Sequence, residues 1–136
     1  MESNEKLKYL FGEFISPKWN ESDIIIRQRT KKQIKENSVT TSSVDKSIVS
    51  QHFDLIIGDD LVNRESINTR EQLEKTKLYY KDLLDLLDPK GSLVLIGTRW
   101  HYDDLYQYIL DRDNFNTFFR TCWLKPDKSE ALFPKV

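Results

Sequence analysis

The sequence is poor in several features that would narrow its function at once. Its 136 residues include one cysteine, four glycines and four prolines, and its formal net charge is −1. The lone Cys122 excludes an internal disulfide and favours a reducing compartment, and without a thiol partner it is expected to be a small core residue. The nearly neutral charge excludes a strong overall field for nucleic acid. No apolar run approaches the roughly 18 residues needed to cross a bilayer.

Motifs for nucleotide, metal and nucleophilic chemistry are also scarce. The glycines never form the Gly-x-x-x-x-Gly-Lys-Ser/Thr phosphate loop, and no serine nucleophile elbow occurs. His52 precedes Asp59 by about seven strand residues, or roughly 20 Å, so the two cannot share a metal. The first residues lack the basic-then-apolar plan of a secretion signal. Together these absences predict a soluble, cytosolic protein.

What is present is a pair of apolar segments that each end in polar residues. Residues 53–58 (Phe-Asp-Leu-Ile-Ile-Gly) run into Asp59 and Asp60, and residues 92–97 (Ser-Leu-Val-Leu-Ile-Gly) run into residues 98–101 (Thr-Arg-Trp-His). Such apolar runs predict buried strands. Ligands of parallel α/β sheets bind beyond the carboxyl ends of the strands, so both polar groups are expected to form one site at that edge.

A helix-length segment joins the two strands. Its predicted start is Thr69, in a capping box with Gln72, and its predicted end is the turn at residues 88–91 (Asp-Pro-Lys-Gly). Strand, helix and strand make a βαβ unit, and continuous apolar strands predict a parallel sheet that is covered on both faces. The fold class is therefore α/β. The predicted apolar face of the helix comprises Leu73, Thr76, Tyr80, Leu83, Leu84 and Leu87.

Shorter elements are predicted around this unit from the spacing of apolar residues. Residues 1–124 are taken as one domain and residues 125–136 as a linker. The predicted elements are helices at 4–14 and 103–110 and strands at 24–27, 38–43 and 117–124.

The residues that follow the two strands have a chemistry that suits phosphate groups. Asp59 can hold Mg²⁺, which needs one or two carboxylates beside phosphates and water. Asp60 can orient or deprotonate a water that attacks a terminal phosphate. Thr98 can donate a hydrogen bond to a phosphate or to that water, and Arg99 can stabilise anionic charge.

A structural interpretation of the same residues stands beside the chemical one. Either aspartate of the pair can simply cap backbone amides at the start of a loop. Trp100 and His101 are expected to wedge the second loop against a moving element. Asp103 and Asp104 are expected to cap the next helix and to hold Arg99, rather than to form a second metal site.

Two longer runs that contain these motifs carry a family resemblance. They are residues 53–63 (Phe-Asp-Leu-Ile-Ile-Gly-Asp-Asp-Leu-Val-Asn) and residues 97–106 (Gly-Thr-Arg-Trp-His-Tyr-Asp-Asp-Leu-Tyr). Together they closely resemble the large terminase subunit of tailed bacteriophages, a DNA-packaging motor with a P-loop ATPase domain and an RNase H-like nuclease domain. The likeness extends from about Trp19 to Pro134, and Gly-Thr-Arg-Trp-His is its most specific part.

The resemblance implies a partial P-loop (ASCE-type) NTPase sheet flanked by helices, with ATP and Mg²⁺ as cofactors. By analogy, Asp59 is the Walker B acid that organises the metal, and Asp60 stands at the position of the catalytic carboxylate. Thr98 belongs to the motif that couples hydrolysis to DNA movement. The coupling loop comprises Gly97, Thr98, Arg99, Trp100 and His101.

The resemblance also implies partners and a location. The partners are double-stranded viral DNA, the portal protein, the small terminase subunit and other copies of the large subunit. The location is the cytoplasm of the bacterial host, docked on the portal of the procapsid, and residues 125–136 would lead toward a nuclease domain.

Two departures from the family pattern shape the interpretation. Many terminases have Asp-Glu where this chain has Asp59-Asp60, which shortens the base by one methylene, and the phosphate loop is missing. The chain is therefore interpreted as the second half of a terminase ATPase domain, expected to be inactive alone.

Two other interpretations remain open. Residues 53–57 and 87–96 (Leu-Asp-Pro-Lys-Gly-Ser-Leu-Val-Leu-Ile) also resemble the later motifs of Rossmann-type S-adenosylmethionine-dependent methyltransferases, although the glycine-rich cofactor loop is absent. A non-catalytic remnant, or an assembly partner that completes a site on another polypeptide, is the third possibility.

Overall fold

A computed structural model describes residues 4–46, 48, 50–112, 115–125 and 127–132. Its centre is the βαβ unit that the sequence predicted. Strand β3 (Phe53–Asp59) and strand β4 (Leu87–Ile96) pair in parallel, and helix α2 (Arg70–Asp85) connects them. The protein is thus a mixed α/β structure with a small two-stranded parallel sheet packed against helices.

Helix α2 begins as predicted, but its cap is only half of a capping box. The Oγ1 atom of Thr69 accepts a hydrogen bond from the Gln72 amide at 3.2 Å, which satisfies one of the free donors of the first turn. The buried Oε1 of Gln72 has no hydrogen-bond partner among the described residues, so the reciprocal bond is not made. Two of the predicted inward residues differ, because Leu84 is 40% exposed and Leu87 belongs to β4.

Helix α3 (Leu105–Arg112) covers one face of the sheet together with α2. We call this the packed face. The fully buried cluster comprises Val62, Tyr80, Leu105 and Ile109, and Leu93 and Leu95 of β4 pack against it. Burial of these apolar side chains is the main favourable term that holds the two helices on the sheet.

The other face of the sheet is exposed, which corrects the prediction of a sheet covered on both sides. Alternate residues of β3 and β4 point to this open face, which comprises Leu55, Ile57, Val94 and Ile96. Their exposed fractions range from 43% for Val94 to 59% for Ile57. Among the described residues, no helix or strand packs closely over them, so four apolar side chains remain in contact with water.

Before β3, the chain forms one helix and a short hairpin. Helix α1 (Glu5–Phe11) is shorter than the predicted range because Gly12 closes it at φ +71°. Strands β1 (Asp23–Ile24) and β2 (Val39–Thr40) pair in the antiparallel direction, and both are shorter than the strands predicted at 24–27 and 38–43. An open cavity of about 1080 Å³ lies between residues 26–42 and β3.

The predicted strand at 117–124 is wrong. These residues are described as irregular chain with one isolated bridge, between Trp123 and Ala131. Phe118 is 84% exposed and Cys122 is exposed, so the cysteine is not the core residue that the sequence suggested. Pro126 and residues 133–136 of the predicted linker lie outside the described residues.

No helix in the described part of the chain is both long and apolar enough to cross a membrane.

Candidate functional site

The parallel register brings the two polar motifs to one edge of the sheet. Asp59, the last residue of β3, pairs with Ile96, the last residue of β4. This pair is closed by a hydrogen bond that the Asp60 amide donates to the Ile96 carbonyl at 3.0 Å. The aspartate pair and the loop that begins at Gly97 therefore leave the sheet side by side, as the sequence predicted. We call this edge the rim.

Both aspartates of the rim are exposed, but their backbones differ. Asp59 ends a regular strand and follows Leu55 and Ile57 in the alternation, so its carboxylate lies on the open-face side. Asp60 has φ +47°, in the left-handed region where aspartate is one of the few tolerated side chains other than glycine. The regular strand backbone therefore ends at Asp59.

The second motif presents its functional side chains to solvent. Thr98, Arg99 and Trp100 are exposed, while His101 is half-buried. The His101 ring packs against Tyr102 with 4.1 Å between ring centroids, and its Nδ1 accepts a hydrogen bond from the Asp103 amide at 3.1 Å. His101 therefore closes a local turn, and Thr98 and Arg99 are the accessible polar groups near the aspartates.

Asp104 fixes the backbone of this loop through hydrogen bonds. Its side chain is fully buried. One carboxylate oxygen accepts hydrogen bonds from the amides of Trp100 and His101, at 2.9 and 3.1 Å, and the other accepts from the Gln107 amide at 3.0 Å. The expected cap is thus confirmed for Asp104, but its partners are backbone amides rather than Arg99.

Asp103 has a different role from the predicted cap, because it is paired with a buried lysine of α2. The Nζ atom of Lys77 lies 3.0 Å from Asp103 and 3.1 Å from Glu74. Burial lowers the pKa of Lys77, but hydrogen bonds and charges from Asp103 and Glu74 outweigh it, so the net pKa is raised. The same hydrogen bond and charge lower the pKa of Asp103. The ion pair connects Asp103, which follows the loop of residues 97–101, to α2.

Sequence reasoning missed Lys77, although a signal was present. Leu73, Lys77 and Tyr80 are spaced by four and three residues, which places them on one helical face. A lysine in an otherwise apolar stripe is buried only when a partner compensates its charge. Asp103, already singled out beside the second motif, is that partner.

Tyr106 of α3 is a second residue that the sequence did not assign. Its hydroxyl donates a hydrogen bond to the Ile96 carbonyl at 3.0 Å, so it reaches the rim from the helix that follows the second motif. Burial raises the pKa of the Tyr106 phenol, the negative charge of Asp60 raises it further, and the backbone of Leu61 and Val62 opposes part of the increase.

The carboxylate oxygens at the rim suit a hard cation that is also bound by phosphate oxygens. No group of three or more histidine, cysteine or acidic side chains is placed to hold a metal in the part of the chain that the structure describes. Two carboxylates, Asp59 and Asp60, fit Mg²⁺ when phosphate oxygens and water supply the remaining ligands. They do not replace the phosphate loop, so their chemistry suits a metal ion but does not supply the amides and lysine that hold a nucleotide.

No protein-family model matches the chain, and no curated protein is significantly similar to it. The terminase resemblance therefore stays a prediction that depends on the two motifs and on their geometry.

Proposed function

We propose that this chain is the second half of a viral DNA-packaging ATPase domain, of the kind found in large terminase subunits. The observation that carries the proposal is the rim, where the Asp60 amide bonds to the last carbonyl of β4. A Walker B acid and a coupling motif must act on the same triphosphate, so they must leave neighbouring strands at one edge. The arrangement of Asp59, Asp60 and Thr98 meets this requirement.

Each rim residue has a role in this proposal. Asp59 holds Mg²⁺, and Asp60 accepts a proton from the attacking water. Thr98 and Arg99 contact the terminal phosphate, and the loop of residues 97–101 passes its position to the DNA-moving parts of the motor. Mg²⁺, when bound with ATP, neutralises charge that develops on the phosphates.

The open face supports the view that this half needs a second segment. Parallel sheets occur almost only with both faces covered, because their strands are apolar on both sides. Here Leu55 and Ile57 of β3 and Val94 and Ile96 of β4 are exposed. We propose that the polypeptide segment with the phosphate loop covers this face. The carboxylate of Asp59 lies on the same side, so the covering segment would reach the metal site.

The proposed P-loop-type sheet implies the partners of a packaging motor. These are double-stranded viral DNA, the portal protein, the small terminase subunit and further copies of the large subunit. The place of action would be the portal of the procapsid in the bacterial host cytoplasm, with residues 125–136 leading to a nuclease domain.

The test is ATP hydrolysis with and without a phosphate loop. The purified chain with Mg²⁺ should show negligible turnover, because its sequence has no Gly-x-x-x-x-Gly-Lys-Ser/Thr loop to hold the phosphates. Adding the polypeptide encoded upstream, if it carries Gly-x-x-x-x-Gly-Lys-Ser/Thr, should produce turnover that Asp60→Ala abolishes. Asp54→Ala is the matched control, because Asp54 is an exposed aspartate near the opposite end of the same strand.

Three results would contradict the proposal. Robust turnover by the chain alone would show that no phosphate loop is needed. Full activity of Asp60→Ala in the complemented protein would remove the assigned base. Tight binding of S-adenosylmethionine in calorimetry would favour the methyltransferase interpretation instead.

A further inference from the structure

We propose that Tyr106 is the positioning residue that fixes the distance between Asp60 and the loop of residues 97–101. This inference rests on the proposed function, since it concerns the geometry of the same site. Tyr106 contacts neither metal nor phosphate in the proposal. It acts through the backbone of Ile96, where both motifs meet.

Asp60 and Tyr106 share one hydrogen-bond acceptor. The Ile96 carbonyl accepts two hydrogen bonds, from the Asp60 amide and from the Tyr106 hydroxyl, each at 3.0 Å. A carbonyl oxygen has two lone pairs, so this junction uses its full capacity. The first bond fixes Asp60, which has the left-handed backbone, to Ile96. The second bond fixes Ile96 to α3.

The Tyr106 ring also restricts the position of Gly97 sterically. A methyl group added at Gly97 would overlap the Tyr106 ring, including its hydroxyl oxygen. The ring therefore lies directly on the backbone at Gly97, one residue before Thr98. If the backbone at Gly97 moved toward α3, it would collide with the Tyr106 ring. If it moved away, the two would lose their van der Waals contact.

Helix α3 in turn holds the Tyr106 ring in place. Leu105, adjacent to Tyr106, is 1% exposed, and Ile109 on the same helix is 4% exposed. Both belong to the buried cluster, so the helix cannot rotate or slide without disturbing the core. Tyr106 thus transfers the rigidity of the core to an otherwise exposed rim. Reacting groups must be held to within a fraction of an ångström, which gives this rigidity a catalytic purpose.

The test begins with the folded chain and needs no nucleotide. In NMR spectra, Tyr106→Phe should change the chemical shifts of the backbone amides of both Asp60 and Thr98, since it removes one hydrogen bond to the Ile96 carbonyl. Tyr102→Phe is the control, because Tyr102 is 80% exposed and lies in the same segment. An unchanged Asp60 amide in Tyr106→Phe would overturn the proposal. Urea unfolding of each variant confirms that the comparison is made between folded proteins.

The second part uses the ATPase complemented with the phosphate-loop polypeptide. Tyr106→Phe should lower kcat by on the order of 10- to 100-fold with little change in KM, because positioning matters in the transition state more than in substrate binding. Equal kcat in wild type and Tyr106→Phe would overturn the inference while leaving the proposed function intact. If the complemented wild type hydrolyses no ATP, the proposed function fails, and the NMR result alone decides whether Tyr106 joins the two loops.

Discussion

The two faces of the sheet have similar sequences and different surroundings. On the packed face, Leu93 and Leu95 lie against the buried cluster of α2 and α3, whereas Leu55 and Ile57 on the open face are more than half exposed. Both faces carry leucine and isoleucine side chains. The difference shows that the apolar sequence of a strand indicates a tendency to be buried. It does not indicate which segment buries it.

The comparison also separates the face of the sheet that stabilises the fold from the face that stabilises it little. The packed face positions the rim through α3, Tyr106 and the buried Asp104. The open face contributes little to the folded state, because its side chains gain little burial. Substitutions on the two faces should therefore have very different effects on stability.

The largest expected effect is that of Leu105→Ala on the packed face. Leu105 is 1% exposed, so its truncation should lower the free energy of unfolding by about 2–5 kcal/mol. Leu55→Ala is the matched control and should cost less than about 0.5 kcal/mol, because Leu55 is 53% exposed. Urea denaturation of both variants measures the difference. Similar losses would mean that the open face is buried in solution.

The next effect is steric and concerns the connection between the packed face and the rim. Gly97→Ala should destabilise the protein by roughly 1–3 kcal/mol, since the new methyl group overlaps the Tyr106 ring. The same substitution in a Tyr106→Ala background should cost much less, because the ring is gone. A double-mutant cycle from urea unfolding gives the coupling. Additive losses would argue that the ring and Gly97 are not in contact.

A smaller effect is expected at the cap of α3. Asp104→Ala leaves the amides of Trp100, His101 and Gln107 without their carboxylate acceptor. Loss of such a cap should cost about 1–2 kcal/mol and increase amide hydrogen exchange in the loop of residues 97–101. Exchange rates that match those of the wild type would show that Asp104 does not order this loop.

The last effect depends on pH and involves the ion pair between Lys77 of α2 and Asp103. Lys77 lowers the pKa of Asp103, so the carboxylate stabilises the folded state above its unfolded pKa, near 4. That contribution is lost as the pH falls through the lowered folded-state value. Stability measured between pH 5 and 2 should therefore fall less steeply in Asp103→Asn than in wild type.

Lys77→Met provides the control for this measurement. Removing the lysine removes the cause of the lowered pKa of Asp103, so the acid limb should flatten in the same way. Acid limbs that coincide in all three proteins would show that the pair does not form in solution.

The sequence predicted the elements that depend on local chemistry. Thr69 caps α2, two apolar runs form parallel strands, and their register brings Asp59 to Ile96. Capping, periodicity and the βαβ connection are properties of short segments, so a single sequence contains them. The position of the rim follows directly from these features.

What the sequence could not predict depends on neighbours distant in the chain. Phe118 and Phe119 are exposed and lie in an irregular segment, because no described strand pairs with residues 117–124. The contact between Tyr106 and Gly97 needs the packing of α3 on β4, which no local pattern encodes. The open face likewise depends on the absence of a covering layer from the described residues, which strand composition does not reveal.

In the proposed function, the aspartate pair and the threonine-containing loop act on one metal–triphosphate. Replacing Mg²⁺ by Mn²⁺ with ATP makes the metal paramagnetic, and its broadening of amide NMR signals reports proximity even when binding is weak. We expect the signals of Asp59, Asp60 and Thr98 to broaden together, and we expect Asp59→Asn to remove the effect. Broadening confined to other acidic residues, or unchanged in Asp59→Asn, would contradict it.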